Sequence, residues 1–228
     1  MKTQVIKIAI LYVFLGFIST SALHSQNCNY YYFKSGKTIT MGFFNKKGKA
    51  EGKVIYQVEK VSQSNGASSA TIKSSVYDSK GKELNKATSN MQCKGGELMI
   101  DMSVMIAQSP QLQSANVEGS GFFLNYPSSL KTGQTLEDGA MNMDIEMGKG
   151  LKSSVSIRIT NRVVAAKESV TTPAGSWDAY KITYDSKTVI NMGIPIPIQQ
   201  SCTEWFVPGF GVVKTQFKSG KTELLSIE

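Results

Sequence analysis

The sequence predicts an all-β protein, a curved antiparallel meander that forms a half-open or closed barrel with one short helix or loop covering it. Several segments alternate apolar and polar residues, which is the period of a strand with one buried face. Short runs rich in Gly, Asn and Asp separate these segments, as in hairpin turns. Because a long meander must hide its edge strands, it curls or closes into a barrel.

Residues 1–25 are predicted to be a secretory signal peptide. Two lysines form the basic start, residues 8–18 are apolar, and small and polar residues follow. Cleavage after Ser25 is favoured over cleavage after Ala22, and a retained membrane anchor is the other alternative. No further segment is long and apolar enough to span a membrane, so we expect no transmembrane segment in the mature chain.

Residues 26–228 are predicted to form a single antiparallel β domain, with two subdomains divided near residues 107–120 as the alternative. The alternating segments lie at residues 54–58, 70–76, 155–159 and 180–184. The predicted hairpin turns lie at residues 45–48, 64–66, 78–81, 94–96 and 218–220. Residues 103–116 are expected to form the short helix or loop, and residues 126–139 an irregular connection.

The three cysteines enter an oxidising compartment if the protein is exported, which favours one disulfide. Three pairings are open. We favour Cys28 with Cys93, because this bond would attach the start of the mature chain to a strand. Cys202 would then be left as a thiol or paired with another molecule.

The available side chains argue against catalysis. The single histidine, His24, lies in the predicted signal peptide, so the mature chain lacks the base of Ser-His-Asp and Cys-His sites and has no histidine for zinc. The cysteines do not have the spacing of a metal site. We therefore expect no enzyme activity, no catalytic residue, no metal and no cofactor.

The remaining acid pairs are Glu137 with Asp138 and Asp144 with Glu146, and the second pair lies on one face of a predicted strand. A solvated strand edge is favoured, with calcium binding and glycoside hydrolysis as alternatives. The formal net charge is +8 at pH 7, but the lysines are scattered and only Arg158 and Arg162 are arginines. Nucleic-acid surfaces cluster their positive charge, so no nucleic-acid partner is expected.

The opposite face of the same strand is apolar and rich in methionine. Met141, Met143, Ile145 and Met147 project to one side. Methionine is flexible and polarizable, which suits irregular cores and also adaptable binding surfaces. Core filling and the lining of a site for a hydrophobic ligand are both open, and copper capture by thioethers is a third reading.

Residues 192–198 alternate isoleucine with proline. Ile194 and Ile196 point to one side, with Ile198 continuing the row, and the prolines between them remove two backbone donors. The segment is interpreted either as an edge strand protected from pairing or as an apolar rim at the entrance of a lipid pocket.

Two C-terminal motifs are similar to those of a known family. Residues 171–182 read T-T-P-A-G-S-W-D-A-Y-K-I, and residues 205–214 read W-F-V-P-G-F-G-V-V-K. With the turns near residues 45–49 and 78–82, they resemble the TapB-like family of exported bacterial proteins, related to a broader family of unknown function. The resemblance implies a curved antiparallel sheet or half-open barrel, akin to periplasmic carriers that hold acyl chains.

The motif residues also have a physical role of their own. Gly175 permits a sharp turn before Trp177, Pro208 with Gly209 sets a tight turn, and Gly211 permits the close approach of a neighbouring chain. The two tryptophans, Trp177 and Trp205, are interpreted first as core aromatics and second as cavity lining.

We therefore expect an exported, non-enzymatic binding protein, periplasmic or extracellular in a Gram-negative bacterium. Its expected ligand is a lipid or another apolar, acyl-chain-like small molecule in a cavity of the curved sheet. The alternative is a cell-envelope scaffold that contacts a partner protein through an edge strand. The candidate ligand-binding residues are Met141, Met143, Ile145, Met147, Ile194, Ile196, Trp177 and Trp205.

Overall fold

The structure, a computed structural model, describes residues 28–107, 121–147, 151–191 and 193–228. The predicted signal peptide lies outside the described residues. The described part begins with a 3₁₀ turn at Tyr31–Phe33 and contains one short helix, α1, at Ser103–Ala107. Its strands, β1 to β12 in chain order, are Thr38–Asn45, Ala50–Ser64, Ala67–Asp78, Glu83–Lys94, Glu97–Asp101, Phe123–Tyr126, Gly139–Met147, Leu151–Thr172, Gly175–Asn191, Pro195–Val207, Gly211–Phe217 and Gly220–Ile227.

These twelve strands form one antiparallel sheet in the order β6-β5-β4-β3-β2-β1-β12-β11-β10-β9-β8-β7. Strands adjacent in the chain are paired throughout, except at β6 and β7, and the first and last strands pair with each other. The sheet curls into a nearly closed barrel whose one unsealed seam lies between β6 and β7. The predicted fold class is confirmed.

The local pattern explains these strands. In β2, Val54, Tyr56 and Val58 are buried and alternate with more exposed neighbours, as predicted. All five predicted hairpin turns lie between consecutive paired strands. In the turn after β3, the Asp78 side chain accepts the backbone N–H groups of Lys80 and Lys82 at 2.8 and 2.9 Å, which fixes the turn locally.

The region between β5 and β7 is predicted only in part. Residues 103–107 form the expected helix, whereas the rest of the predicted helix or loop, from residue 108 to 116, lies outside the described residues. The connection from residue 127 to 138 contains none of the named strands or helices, as expected. The four-residue strand β6 was not predicted, because so short a segment leaves no periodic signal.

The seam is bridged by a buried arginine. A bulge in β8, where Asn161 has a φ of 57°, brings Arg162 into the interior with none of its surface exposed. Its Nη1 donates to the carbonyl of Asn125 in β6 at 3.0 Å and to the carbonyl of Glu137 just before β7 at 2.8 Å. A side chain thus supplies the link that a strand ladder supplies elsewhere.

One end of the barrel, here called the plugged end, is closed by residues 28–36. A disulfide joins Cys28 to Cys93 on β4, so the predicted pairing is confirmed. The Tyr30 hydroxyl donates to the carbonyl of Gly96 at 3.0 Å, in the turn that follows β4. The plug is therefore held both covalently and by hydrogen bonds.

The C-terminal motif meets this plug. The backbone N–H of Tyr31 donates to the carbonyl of Gly209 at 3.0 Å, in the turn between β10 and β11. Gly211 has a φ of 126°, and a Cβ atom there would lie 3.1 Å from the ring of Tyr32. The expected close approach at Gly211 is confirmed, and the neighbour is a buried ring of the plug.

The opposite end is called the open end. It carries the hairpin turns at residues 45–50, 78–83, 191–195 and 217–220, which follow from the antiparallel strand directions. Among the described helices, none is long and apolar enough to cross a membrane.

Replacing both Cys28 and Cys93 by serine is expected to lower the free energy of unfolding by about 4 kcal/mol, because the bond closes a loop across 65 residues of the unfolded chain. Urea denaturation followed by tryptophan fluorescence measures the loss. The matched control is Cys202→Ala, which keeps the disulfide and should lose less. A double variant as stable as the wild type would contradict this expectation.

Candidate functional site

The barrel interior contains a cavity of about 490 Å³. It extends from Tyr32 of the plug to residues next to the open end, among them Phe44, Glu51 and Ser219. Glu51 and Ser219 are exposed to solvent, so the cavity opens at that end of the barrel.

Strands β9 and β10 leave this space because their inward side chains are small or slender. Inward positions on β9 include Ser186 and Thr188, and those on β10 include Gln200 and Cys202. The register pairs Gln200 with Ser186, so an unbranched side chain lies next to a small one on the inner face. The interior is therefore incompletely filled along this part of the wall.

The facing wall is apolar and contains four methionines. The cavity is lined by Met41 of β1, Met91 of β4, Met102 just before α1 and Met105 within α1, with further aromatic and aliphatic side chains. Unbranched thioether side chains adapt to ligands of different shape. This wall has the composition of an adaptable apolar binding surface.

A buried polar cluster borders the cavity, near the plugged end. The Tyr126 hydroxyl donates to Oε1 of Glu204 at 2.9 Å, and the Tyr126 ring stacks on Phe206 with centroids 4.6 Å apart. The Arg162 guanidinium lies 4.8 Å from the centroid of the Tyr126 ring. Tyr126 and Glu204 line the cavity and Arg162 lies behind them.

Burial dominates the electrostatics of this cluster. Only 3% of the Glu204 surface is exposed, and this desolvation raises the pKa of its carboxyl group, although Arg162 and the hydrogen bond from Tyr126 act in the opposite direction. Burial also raises the pKa of Tyr126 well above its ordinary value.

The free thiol is buried beside the cluster. Cys202 shares a hydrogen bond with Tyr184, and burial raises the pKa of the Cys202 thiol to about 11. Such a thiol stays protonated at neutral pH and is a poor nucleophile. Together, Glu204, Tyr126, Tyr184 and Cys202 offer a ligand hydrogen-bonding groups and no activated nucleophile.

The predicted residues on β7 face the interior. Met141 pairs with Ile157 and Met143 with Val155 on β8, and Ile157 lines the cavity. Met141 and Ile145 are buried, and Met143 is half-buried against the core. They lie beside the cavity lining and are not themselves part of it. The side chain of Met147 is outside the described residues.

The isoleucine row runs out of the barrel at the open end. Ile198 lines the cavity, whereas Ile196 is 45% exposed and Ile194 is 77% exposed on the same strand face. Pro195 and Pro197 are exposed on the opposite face, so the hairpin tip between β9 and β10 projects into solvent. The exposed isoleucines Ile194 and Ile196 therefore continue, through Ile198, into the lining of the cavity.

The two tryptophans lie away from the cavity lining. Trp177 is half-buried against Phe210, and its indole N–H donates to Oγ1 of Thr172 at 3.1 Å. Trp205 lies on the outer face of β10, where its N–H donates to Oε1 of Glu168 at 2.8 Å. Each indole is half-buried and packs against the edge of the core, Trp205 from outside.

The buried polar cluster was not predicted. Glu204 has a signal in the sequence, since it shares the inward phase of β10 with Cys202 and Phe206. Arg162 has none, because the bulge at Asn161 shifts the phase of β8 by one residue. Tyr126 was assigned to an irregular connection.

The predicted acid pair lies on the solvent side of the barrel. Asp144 and Glu146 are exposed on the outer face of β7. In the part of the chain that the structure describes, no three His, Cys, Asp or Glu side chains come together in a group that could hold a metal ion.

A family model described as DUF3108-like matches residues 34–228. Among solved structures, a Bacteroides fragilis protein described as an exported protein with a YmcC-like fold is similar, with a TM-score of 0.71, 20% identity and coverage of 86% of this chain and 96% of that one. A Parabacteroides distasonis protein described as a lipoprotein has a TM-score of 0.73, 21% identity and the same coverage. Among curated proteins, none matches the chain significantly.

Replacing Tyr126 by phenylalanine is expected to lower the free energy of unfolding by about 1–3 kcal/mol, because Glu204 loses its hydroxyl donor. In the wild type this hydrogen bond stabilises the ionised carboxylate of Glu204. The pKa of Glu204 is therefore expected to be higher still in the variant. The loss of stability should therefore be larger at about pH 8 than at about pH 5.

Urea denaturation at the two pH values measures this difference. Tyr180→Phe is the matched control, because Tyr180 is a half-buried tyrosine of β9 outside the buried cluster. Equal losses at both pH values would rule out an effect through Glu204.

Proposed function

The chain belongs to the DUF3108-like family, and we propose that it is an exported, non-enzymatic binding protein that holds a hydrophobic, acyl-chain-like ligand inside its barrel. The observation that carries this proposal is the cavity of about 490 Å³, open at one end and lined by methionines and aromatic residues. Small-molecule sites have volumes of about 300–1,000 Å³ and a mainly apolar lining with a few polar groups.

The chemistry of the interior supports binding without catalysis. The raised pKa keeps the Cys202 thiol protonated, and Asp144 and Glu146 face solvent on the outer face of β7. Glu204 is enclosed, but its described partners are a tyrosine and an arginine that serves the seam. These groups orient a ligand more readily than they activate one.

The proposed location is the periplasm or the extracellular side of a Gram-negative bacterium. The Cys28–Cys93 disulfide suits an oxidising compartment, and the similar solved structures are described as exported or as lipoproteins. Within the family, the motifs at residues 171–182 and 205–214 favour a TapB-like member.

A second candidate function is a cell-envelope scaffold that contacts a partner protein. The projecting tip with Ile194 and Ile196 favours it, because exposed isoleucines flanked by prolines suit a contact surface. The two functions are compatible in one barrel, and they depend on different residues.

Filling the cavity tests the first function. Thr188→Trp introduces an indole among the inward side chains of β9 and should weaken uptake of an acyl-chain fluorophore by about tenfold or more, equivalent to about 1.4 kcal/mol. Fluorescence titration measures uptake, and native mass spectrometry of gently purified protein detects ligand that co-purifies. The matched control is Lys187→Trp, on the exposed face of the same strand, which should bind like the wild type. Equal binding by both variants would refute a ligand in this cavity.

A charge on β7 separates the two functions. Met143→Lys should weaken fluorophore uptake, because an ammonium on the inner face of β7, beside the cavity lining, is costly to bury. Pulldown of an envelope partner should persist, whereas Ile194→Asp with Ile196→Asp should disrupt that contact and spare uptake. Asn142→Lys, on the exposed face of β7, is the control. Uptake retained in Met143→Lys would remove β7 from the site.

A further inference from the structure

The buried ionisable groups of the interior are distributed unevenly around the cavity. Asp101 and Glu204 are almost completely buried and both line the cavity. Arg162 is fully buried and does not line it. A molecule in the inner part of the cavity therefore meets two carboxyl groups, and the guanidinium lies behind the Tyr126 ring.

The remaining polar groups at the inner part do not reverse this balance. Tyr184 and Cys202 share a hydrogen bond, and Ser186 is a neutral hydroxyl. The lining cation is Lys221, which lies next to the open end and is paired with Glu223 at 2.7 Å. Within the described residues, the inner lining thus offers acceptors and neutral hydroxyls without a cation.

Glu204 presents its carboxyl group to the inner part of the cavity. Its Oε1 accepts the Tyr126 hydroxyl. Burial raises the pKa of this carboxyl group, whereas the Arg162 guanidinium and the hydrogen bond from Tyr126 act in the opposite direction. A second anion in this enclosed place would face a carboxyl group in a low dielectric, which is costly. A neutral hydroxyl, by contrast, can donate to the remaining lone pairs of the carboxyl group.

We propose that the cavity selects amphiphiles with an uncharged, hydroxyl-bearing head group, which donates a hydrogen bond to Glu204 while the alkyl tail runs along the methionine wall to the open end. This inference rests on the proposed binding function and specifies its ligand class. Long-chain alcohols and monoacylglycerols share this chemistry, and fatty acids and alkylamines lack it.

Three probes with the same tail test the head group: tetradecanol, myristate and tetradecylamine, each competing with a bound uncharged acyl-chain fluorophore at neutral pH. The alcohol should displace the fluorophore at a concentration about tenfold or more below that of myristate, because a buried unpaired charge costs several kcal/mol. It should also bind more tightly than the amine, because the ammonium loses its hydration in a place where the Arg162 guanidinium already interacts with Glu204 and repels a second cation.

Glu204→Gln then tests the residue. Glutamine keeps an acceptor and almost the same volume without the charge, so the preference for the alcohol over myristate should fall to within about threefold. Glu168→Gln, a carboxyl group on the outer face of the barrel, is the matched control and should keep the full preference. The ranking of the three probes on the wild type needs no variant, so it tests the inference even if Glu204→Gln fails to fold.

Myristate or tetradecylamine as the tightest probe, or three equal affinities, would overturn the head-group inference and leave the binding function standing. The same holds if Glu204→Gln folds and keeps the full preference. Failure of every probe and of the fluorophore to bind would overturn the binding function, and this inference with it.

Discussion

The closure of the barrel depends on the way in which the edges of a twelve-stranded sheet are joined. Backbone groups at a sheet edge must find partners, and β6 and β7 do not extend a common ladder. Arg162 reaches both sides of the seam from a single Nη1 atom. Because a guanidinium is always charged, this way of closing the barrel places a permanent positive charge in its interior.

The other interior polar groups are arranged around that charge. The Tyr126 ring covers the guanidinium, and its hydroxyl donates to Glu204, so a cation, a ring and a carboxyl group form one continuous cluster. Glu204, at an inward position of β10, interacts electrostatically with the guanidinium, and a buried charge without any such interaction costs several kcal/mol. The cluster that closes the seam also borders the cavity, through Tyr126 and Glu204.

The alternation of apolar and polar residues and the turn motifs predict most of the strands and hairpins, but they predict few of the residues that line the cavity. The alternation in β2, β8 and β9 and the five hairpin turns depend on neighbouring residues alone, and the sequence records them directly. The inward face of β7 was predicted for the same reason. The burial of Arg162 could not be predicted, because a bulge in β8 moves this residue to the inner face. The alternation set by Val155 and Ile157 would place it on the outer face. Trp205 lies outside because Glu204 and Phe206 hold the inward phase, and an aromatic side chain does not by itself specify a face.

The cavity arises in part from the composition of two neighbouring strands, and it does not depend on the hydrogen bonds of their ladder. On β7 and β8 the inward positions carry large apolar side chains that fill their side of the barrel. On β9 the inward positions in the cavity wall carry Ser186 and Thr188, whose side chains reach less far. The ladder hydrogen bonds and the outward side chains of these strands do not depend on how the inward positions are filled. A protein that needed only a stable barrel would gain from larger apolar residues there, because filled space stabilises a core. Small polar side chains in this part of the wall support the binding function proposed for the cavity.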